Sequence, residues 1–524
     1  MSEHTDPKEF MKLVKKLGSI RAAGRKLNIP KSTAQDLFKK YSETQLRETK
    51  VKNSIKYAKP SKGEVKRYIL TSAQNGTKVH EGFFRNLEAY AEHLDAEILI
   101  SGYTYNKSLF EDHSKTENRY AECVEQYLTN DRYELGPNVV FCGEMNILPT
   151  AVNPLSGFET YTREKWGIFP HAKVQQQSIA TMKDSPAKMI LTTGTVTLPN
   201  YIQKKDGIKA EFHHVFGAAL VEVCSDGAFF VRHLLGDKKD GSFFDLTTHV
   251  YEGQIFEGVN VLAVTWGDIH LEKLDLECAG ASFGFGQNNS ENSLLDYLNP
   301  KFQFIHDLID FKNRNHHNIK DSHFLFEQYV NGEEKISDTI KNAAGFLDFI
   351  WRDETETYVI ESNHDLALLK WLKTADYRLD QANAIFFLEA QLAVYQAIDH
   401  GVENFSIFQY LVSDYMNKEA VFLLEDDSFI IAPEHGGIEC AMHGHLGANG
   451  AKGHAKQFSK MGPKANVAHT HSAGIFDGIY TAGVTGNLDM GYNKGLSSWS
   501  HTHIVTYENG KRTLLTMNKG RFFA

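Results

Sequence analysis

The sequence predicts an α/β protein of three segments, and three patterns support this prediction. Residues 7–41 carry apolar side chains at helical spacing, residues 67–105 show a strand, helix, strand pattern, and strands alternate with helical stretches from residue 258 onward. A chain of 524 residues is long enough for about three domains that each bury a core. The predicted domains are residues 1–60, 67–257 and 258–524.

The composition is that of an ordinary globular protein, with 42% hydrophobic and 23% charged residues. No apolar run approaches the roughly 18 residues of a membrane-spanning helix, and the first residues lack the pattern of a signal peptide. The five cysteines are odd in number and form no Cys-x-x-Cys pair, which is typical of thiols kept reduced. We therefore expect a cytoplasmic protein without a membrane segment, disulfides or a cysteine-type zinc site.

The first 67 residues are basic, although the whole chain has a net charge of −10. They hold 18 lysines and arginines against 7 aspartates and glutamates, so the rest of the chain carries −21. Pro30 separates two helical patterns, which predicts a helix-turn-helix that binds DNA. A small helical dimerisation or docking module is the alternative. The residues of the second helix that we expect to face a DNA groove are Lys31, Ser32, Thr33 and Gln35.

The stretch VNVLAVTWGDIH, residues 259–270, predicts a buried strand over 261–266 that ends at Gly267 and presents Asp268 and His270. Side chains two positions apart on a strand point the same way, so two groups able to bind a metal would lie together. Aspartate and histidine also meet at strand ends as simple loop caps, so this motif alone decides little.

Further side chains of this kind follow in order along the carboxyl-terminal segment. FIHDLIDF contains Asp307 and Asp310, and TYVIESNHD ends in Asn363, His364 and Asp365. Residues 435–503 hold eight of the chain's 24 histidines among many glycines. Because glycine permits tight loops, imidazoles there can converge on an ion. The order is D-x-H, D-x-x-D, N-H-D, a lone histidine and H-x-H.

This order resembles that of the calcineurin-like metallophosphoesterases, over about residues 258–524. The resemblance implies a β-sandwich flanked by helices, with two divalent ions that share a bridging carboxylate and activate a water. Manganese is favoured, with magnesium, iron and zinc as alternatives. The ligands implied are Asp268, His270 and His471 for one ion, Asn363, His443 and His469 for the other, and Asp307 between them.

The resemblance also implies that His364 binds no metal but protonates or stabilises the leaving oxygen, while Asp365 orients its ring. His445 fits the lone histidine as well as His443 does. The second H-x-H, His501 and His503, is interpreted as structural. Three positions that are glycine in the family differ here: His306, which could add a substrate contact, Ser362 and Ala468.

The arrangement of the domains, together with the ending LDMGYNKGLSSWSHTH, resembles phage-encoded metallophosphoesterases, including the pre-early DNA-transfer nucleases of tailed phages. It implies a DNase acting on DNA in the host cytoplasm. The segment with Lys312, Arg314, His316 and His317 could contact flanking phosphates or be an ordinary solvated basic stretch. The alternative functions are a DNA-binding regulator with an inactive phosphoesterase fold, and a phosphatase or phosphodiesterase for another substrate. A homo-oligomer is compatible with the sequence.

Overall fold

The computed structural model describes residues 7–39, 54–56, 60–104, 120–182, 185, 187–286, 293–315 and 318–524. Within these residues helices alternate with strands of several sheets, which confirms the prediction of a mixed α/β protein. The chain divides into two compact units, residues 1–57 with 131–134 and residues 58–130 with 135–524. No helix in the described part is long and apolar enough to cross a membrane.

The first unit has a small helical core. The Ser19 side chain caps α2 by accepting from the Ala22 amide at 3.3 Å. A Cβ on Gly24 would lie 3.0 Å from the Cβ of Ala34, so the glycine lets α2 and α3 pack closely. A short turn with Pro30 joins these two helices, as predicted. The elements of this unit are α1 (Pro7–Leu17), α2 (Ile20–Lys26), α3 (31–39) and the parallel strands β1 (Ser54–Lys56) and β5 (Arg132–Glu134).

The side chains on α3 that are predicted to face DNA are all exposed: Lys31, Ser32, Thr33 and Gln35. Their contact with DNA remains a prediction.

The second unit begins with a five-stranded sheet in the order β11-β10-β2-β3-β4, covered by helix α4 (Glu81–Leu94). Beside it lies a three-stranded antiparallel sheet, β12-β13-β14. The strands are β2 (Val65–Gln74), β3 (Ala96–Tyr103), β4 (Leu128–Thr129), β10 (Gly217–Cys224), β11 (Phe229–Leu235), β12 (Phe243–Asp245), β13 (Thr248–Tyr251) and β14 (Gln254–Phe256).

A buried ion cluster ties this sheet to β12. Arg232 contacts Glu222 at 2.5 Å and holds both oxygens of Asp245, at 2.5 and 2.8 Å. Arg67 donates to Glu222 at 3.0 Å, and the Tyr90 hydroxyl donates to Asp245 at 2.7 Å. Burial would raise the pKa of Glu222, but Arg232 and Arg67 lower it below its ordinary value.

A six-stranded sheet in the order β18-β17-β16-β15-β24-β25 forms the carboxyl-terminal part of the unit. The first four strands in this order are parallel, so their carboxyl ends lie at the same edge and their following loops are neighbours. The strands are β15 (Ala263–Thr265), β16 (Phe302–His306), β17 (Glu356–Ile360), β18 (Val421–Leu423), β24 (Thr502–Thr506) and β25 (Arg512–Thr516).

Several helices pack on this sheet and bury a large apolar core between them and the strands. The helices described in the second unit after α4 are Lys205–Phe212, Leu276–Phe283, Leu294–Leu298, Ser322–Asn331, Ile336–Ile350, Ala367–Thr374, Ala384–Asp399, Ile407–Tyr415 and Ala455–Phe458.

A further sheet contains strands from both sides of the predicted boundary at residue 257. Nine of its strands run in the order β6-β7-β9-β8-β22-β23-β21-β20-β19, and β8 pairs with β22 antiparallel. The boundary that the sequence predicts at residue 257, between a central and a carboxyl-terminal domain, stays a prediction. The strands are β6 (Val139–Cys142), β7 (Trp166–Phe169), β8 (Gln176–Ile179), β9 (Lys188–Thr192), β19 (Ile430–Ile431), β20 (Ile438–Glu439), β21 (Lys464–Val467), β22 (Gly474–Phe476) and β23 (Ile479–Thr481).

Candidate metal centre

The loop after β15 carries Asp268 and His270 into the interior. The strand is shorter than predicted and ends at Thr265, because the chain turns at Gly267 to bridge Asp268 to Val484. A Cβ at Gly267 would lie 2.8 Å from the Val484 nitrogen, so this approach requires glycine. His270 has a left-handed backbone, φ 48°. The two side chains therefore converge through a turn and not through the strand alternation that the sequence predicted.

The loop after β16 runs beside the loop after β15. The Ile269 amide donates to the His306 carbonyl at 3.0 Å, and the His270 amide donates to the Asp307 carbonyl at 2.8 Å. Asp307 follows the strand directly and has φ 42°. This left-handed turn and the two hydrogen bonds bring the Asp307 carboxylate next to the side chains of the first loop.

The loop after β17 is joined to Asp307 by two hydrogen bonds. The Asp307 amide donates to the hydroxyl of Ser362 at 2.9 Å, and the His364 amide donates to the Asp307 Oδ1 at 3.2 Å. The Ser362 hydroxyl also donates to the Ile360 carbonyl at 2.7 Å. Ser362, which stands where the resembling family has glycine, thus connects two of the loops.

Three histidines from the carboxyl-terminal part complete the cluster. His443 follows β20, and its carbonyl accepts from the Ala468 amide at 2.8 Å. His469 and His471 follow β21 and have left-handed backbones, with φ 70° and 55°. These turns direct both imidazoles of the H-x-H motif toward the aspartates.

The first group of candidate ligands consists of four buried residues: Asp268, His270, Asp307 and His471. One ligand atom from each lies within 4.8 Å of the others. His471 Nε2 is 3.0 Å from both Asp268 Oδ2 and His270 Nε2, and His270 Nε2 is 3.6 Å from Asp307 Oδ2. Despite this proximity, neither carboxylate oxygen of Asp268 has a hydrogen-bond partner among the described residues.

A second group contains Asp307, His443 and His469, and a third contains His270, Asp310 and His364. His443 Nε2 lies 3.3 Å from Asp307 Oδ2 and 3.0 Å from Asn363 Oδ1. The rings of His443 and His469 have centroids 5.2 Å apart. Because Asp307 belongs to two of these groups, its carboxylate lies where it could bridge two sites.

This set of donors fits divalent ions. It offers carboxylate oxygens, an amide oxygen and imidazole nitrogens without a thiolate, which suits ions such as manganese, magnesium or zinc. A buried carboxylate without a hydrogen-bond donor is costly, as Asp268 is here, and a cation would relieve that cost. The buried histidine and aspartate groups can therefore hold a metal ion.

The aspartates and histidines of the cluster shift one another's pKa values. Burial would raise the pKa of Asp307, but His443 and His364 lower it well below its ordinary value. Burial would lower the pKa of His443, but the Asp307 carboxylate raises it. Burial and His443 together lower the pKa of His469 to about 4, and burial lowers that of His270. His469 is therefore neutral near pH 7, which is the form that binds metals.

His306 contacts His443 and is fully buried, so the substrate contact considered for it from the sequence is wrong. The two Nδ1 atoms are 3.4 Å apart. Burial lowers the pKa of His306 well below its ordinary value, so its ring is neutral. When His443 Nε2 binds a metal, the ring proton lies on Nδ1 and can be donated to His306. This contact would fix the tautomer of His443 in which Nε2 is free for a metal.

His364 is held by Asp310. Its Nδ1 is 2.9 Å from the Asp310 carbonyl oxygen and 3.6 Å from the Asp310 carboxylate. Asp365, which was expected to orient this ring, instead accepts from the Ile309 amide at 3.2 Å. Burial, with the neighbouring Asp307, raises the pKa of Asp365 well above its ordinary value. Asp310 and not Asp365 thus orients the ring of His364, because the loop after β16 folds back over the histidine.

A cavity of about 590 Å³ opens beside Asn363 and His364. Helix Ala367–Thr374 lines one side and contributes Lys370 and Lys373. His445 lines it too and bonds to Glu425 at 2.7 Å, whereas His443 lies in the ligand cluster. The geometry thus favours His443 as the ligand. Sequence reasoning missed the two lysines, although both lie within nine residues of the N-H-D motif.

The basic stretch after Asp307 is largely engaged elsewhere. Arg314 is buried and binds Asp380 through two contacts, at 2.5 and 2.8 Å. Lys312 pairs with Glu333 at 2.9 Å. Both cations thus have partners within the fold, and the phosphate contact considered for this stretch stays a prediction. His316 and His317 lie outside the described residues.

The second H-x-H motif supports the loop after β15 and stays outside the cluster. His503 is buried, and its Nδ1 accepts from the Gly267 amide at 3.0 Å while its Nε2 meets the Ser282 hydroxyl at 3.0 Å. His501 Nε2 lies 3.1 Å from the Gly486 carbonyl. Both contacts are structural, in line with the interpretation from the sequence.

Comparison with known proteins gives one strong relative. The chain is 44% identical over 470 residues to Protein A1 of Escherichia phage T5, a match that covers 88% of this chain and 83% of the relative. No family model matches the chain, and no solved structure does. The relative supports the expectation of a phage-encoded protein. At this identity and coverage, the chain belongs to the family of Protein A1 of Escherichia phage T5.

Proposed function

We propose that this protein is a metal-dependent deoxyribonuclease of the calcineurin-like metallophosphoesterase type. The observation that carries the proposal is the position of Asp307, whose carboxylate belongs to two of the three groups of candidate ligands. The loops after three neighbouring parallel strands supply the motifs in the order that this class of enzyme uses. Such a centre hydrolyses phosphate esters, and DNA is the substrate that the remaining features favour.

The centre would hold two divalent ions, with manganese favoured because the donors are oxygen and imidazole. When bound, such ions polarise a phosphate and make a water more nucleophilic. The residues that would hold them are Asp268, His270 and His471 for the first, Asn363, His443 and His469 for the second, and Asp307 for both.

His364 is placed to handle a proton at the open side of the cluster. Its side chain is 16% exposed and lines the cavity, whereas the neighbouring Asp307 and Asp310 are buried. The carbonyl and carboxylate of Asp310 stabilise a proton on Nδ1. Nε2 can then carry a second proton and give it to the leaving oxygen of the substrate, as a general acid does.

The charge distribution supports DNA as the substrate. The first 67 residues have a surplus of 11 positive charges, and the polar side chains at the start of α3 are exposed. A basic helical unit of this kind binds the phosphate backbone of nucleic acid. The acidic remainder would otherwise repel DNA, so the amino-terminal unit would bring the substrate to the centre.

The decisive experiment compares two substrates of the purified protein with manganese: plain duplex DNA and a chromogenic phosphomonoester. A deoxyribonuclease cleaves the DNA and leaves the monoester largely intact. Asp307→Asn is the matched inactive variant, because an amide cannot bridge two ions as a carboxylate does. We expect it to lose at least one of two ions per chain by elemental analysis and to lose DNA cleavage with it.

The other outcomes identify the alternatives. Turnover of the monoester without DNA cleavage would make the protein a phosphatase. DNA binding without any hydrolysis would make it a regulator on an inactive fold. Full metal content in Asp307→Asn would show that Asp307 does not bridge two ions.

A further inference from the structure

The cavity beside His364 has the size and lining of a binding site. Its volume of about 590 Å³ lies within the usual range of small-molecule pockets, roughly 300–1,000 Å³. Leu366, Ala367 and Leu369 give it an apolar side. Asn363 and His364 line the same cavity, so whatever occupies it also meets the candidate metal centre.

Two lysines line this cavity, and neither has an ion-pair partner in the part of the chain that the structure describes. Lys370 and Lys373 are exposed and three residues apart on one helix, so they lie on the same face. Among the described residues, no carboxylate forms an ion pair with either ammonium, and Glu425 in the same cavity is bound by His445.

Their free state contrasts with the other cations around the centre. Lys273 is paired with Asp310 at 2.9 Å, Lys312 with Glu333 and Arg314 with Asp380. Two neighbouring like charges without a counterion repel each other, and an anion between them relieves that repulsion. Because Lys370 and Lys373 line the same cavity as Asn363 and His364, an anion bound between them would lie beside the candidate metal centre.

We propose that Lys370 and Lys373 bind the phosphate of a nucleic-acid strand that is next in line to the scissile phosphate, on the side of the leaving oxygen. This inference rests on the proposed function. His364, which lines the same cavity, marks the side of the leaving oxygen, and the apolar side chains contact the sugar and base between the two phosphates. A substrate with a single phosphate does not reach the lysines.

The test uses a double variant and a charge-matched control in the full chain. Lys370→Gln with Lys373→Gln removes the proposed contacts, and Lys205→Gln with Lys209→Gln removes the same charge from helix Lys205–Phe212. Lys205 and Lys209 are exposed, lie one turn apart and do not line the cavity. Equal thermal unfolding midpoints of wild type and both variants would show that the exposed substitutions leave the fold intact.

The first readout is binding of a fluorescent single-stranded oligodeoxynucleotide in EDTA, measured by anisotropy over a range of salt concentrations. The cavity variant should bind roughly tenfold more weakly. Its plot of log affinity against log salt should lose about 0.7 of its slope, since one phosphate contact disappears. The control variant should keep the wild-type slope.

The second readout is hydrolysis of bis(p-nitrophenyl) phosphate with manganese, which has no flanking phosphate. Here the cavity variant should keep the wild-type kcat and KM, while its KM for the oligodeoxynucleotide rises. If the cavity variant binds and cleaves the oligodeoxynucleotide like the control, the lysine site is wrong although the nuclease proposal stands. If the wild type hydrolyses neither substrate, the nuclease proposal fails, and the salt-dependent binding alone decides on the lysines.

Discussion

His364 is the residue at which our proposal separates catalysis from metal binding. It lies at the cavity and is held by Asp310, and it belongs to neither group that contains Asp307, although it forms a third group of possible ligands with His270 and Asp310. We predict that His364→Ala retains the bound ions and DNA affinity but cleaves DNA about 100- to 10,000-fold more slowly, the usual contribution of a general acid. Metal content, DNA affinity and cleavage rate should be measured on the same preparation.

Asp268→Ala is the matched control for this prediction, because it removes a buried ligand with no hydrogen-bond partner of its own. It should lose metal and cleavage together. A His364→Ala protein that cleaves at the parental rate would place the acid elsewhere.

A second prediction concerns His306, which meets His443 through the two Nδ1 atoms at 3.4 Å. His306→Phe keeps a flat buried ring but removes the acceptor that fixes the tautomer of His443. Loss of such a partner typically weakens metal binding about 10- to 100-fold. Titration calorimetry with manganese measures the change, and His501→Phe, which alters a histidine outside the cluster, should bind as the wild type does.

The candidate ligands show which parts of the site the sequence could predict. The order of the motifs predicted that Asp268, His270, Asp307 and the carboxyl-terminal histidines meet, because side chains at the ends of neighbouring parallel strands share an edge. It did not predict that Asp310 holds His364. That contact depends on where a carbonyl points after a left-handed turn, which residue types alone do not encode.

At the scale of elements, the ion cluster between β10, β11 and β12 is the clearest determinant of stability. Arg232 is 5% exposed and neutralises Glu222 and Asp245 together. We predict that Arg232→Met destabilises the protein by about 3–5 kcal/mol, because two carboxylates stay buried without their cation. Urea unfolding followed by circular dichroism gives the difference in the free energy of unfolding.

Arg67→Met is the control for this prediction. Arg67 also contacts Glu222, but its side chain is 26% exposed, so the loss should be at most about 1 kcal/mol. Similar losses in both variants would show that burial does not set the strength of the cluster.

Strand pairing marks the limit of sequence reasoning at this scale. The β2, α4, β3 unit was evident from local patterns, since its residues are close in sequence. The pairing of Gln176 in β8 with Ile475 in β22 joins segments far apart in the chain. Such long-range register leaves no local trace, so the sequence did not predict that one sheet contains strands from both sides of residue 257.

At the scale of the whole molecule, the basic amino-terminal segment and the acidic remainder have separate tasks in our proposal. We predict that deletion of residues 1–60 weakens DNA binding and flattens its salt dependence, because it removes most of the surplus positive charge. Turnover of a small phosphodiester should stay nearly intact. Anisotropy with labelled DNA and a chromogenic assay measure the two effects.

Single substitutions in the full chain test which helix of the amino-terminal unit contributes to DNA binding. Lys31→Glu alters the start of α3, whereas Lys12→Glu places the same change on α1, and both positions are exposed. DNA affinity should fall more for Lys31→Glu. An unchanged salt slope in the deleted protein would instead identify the helices as an assembly module.

Four candidate ligands have a left-handed backbone: His270, Asp307, His469 and His471. A non-glycine residue in this conformation is strained by roughly 1–2 kcal/mol, and the folded protein must absorb that strain. Glycine would relieve it at each position and would remove a metal ligand at the same time. At these four positions, stability therefore favours glycine, whereas metal binding favours the present residue. A lineage selected for heat resistance alone should drift toward glycine there, whereas a lineage that needs the metal centre is expected to retain strained turns and gain its thermostability elsewhere.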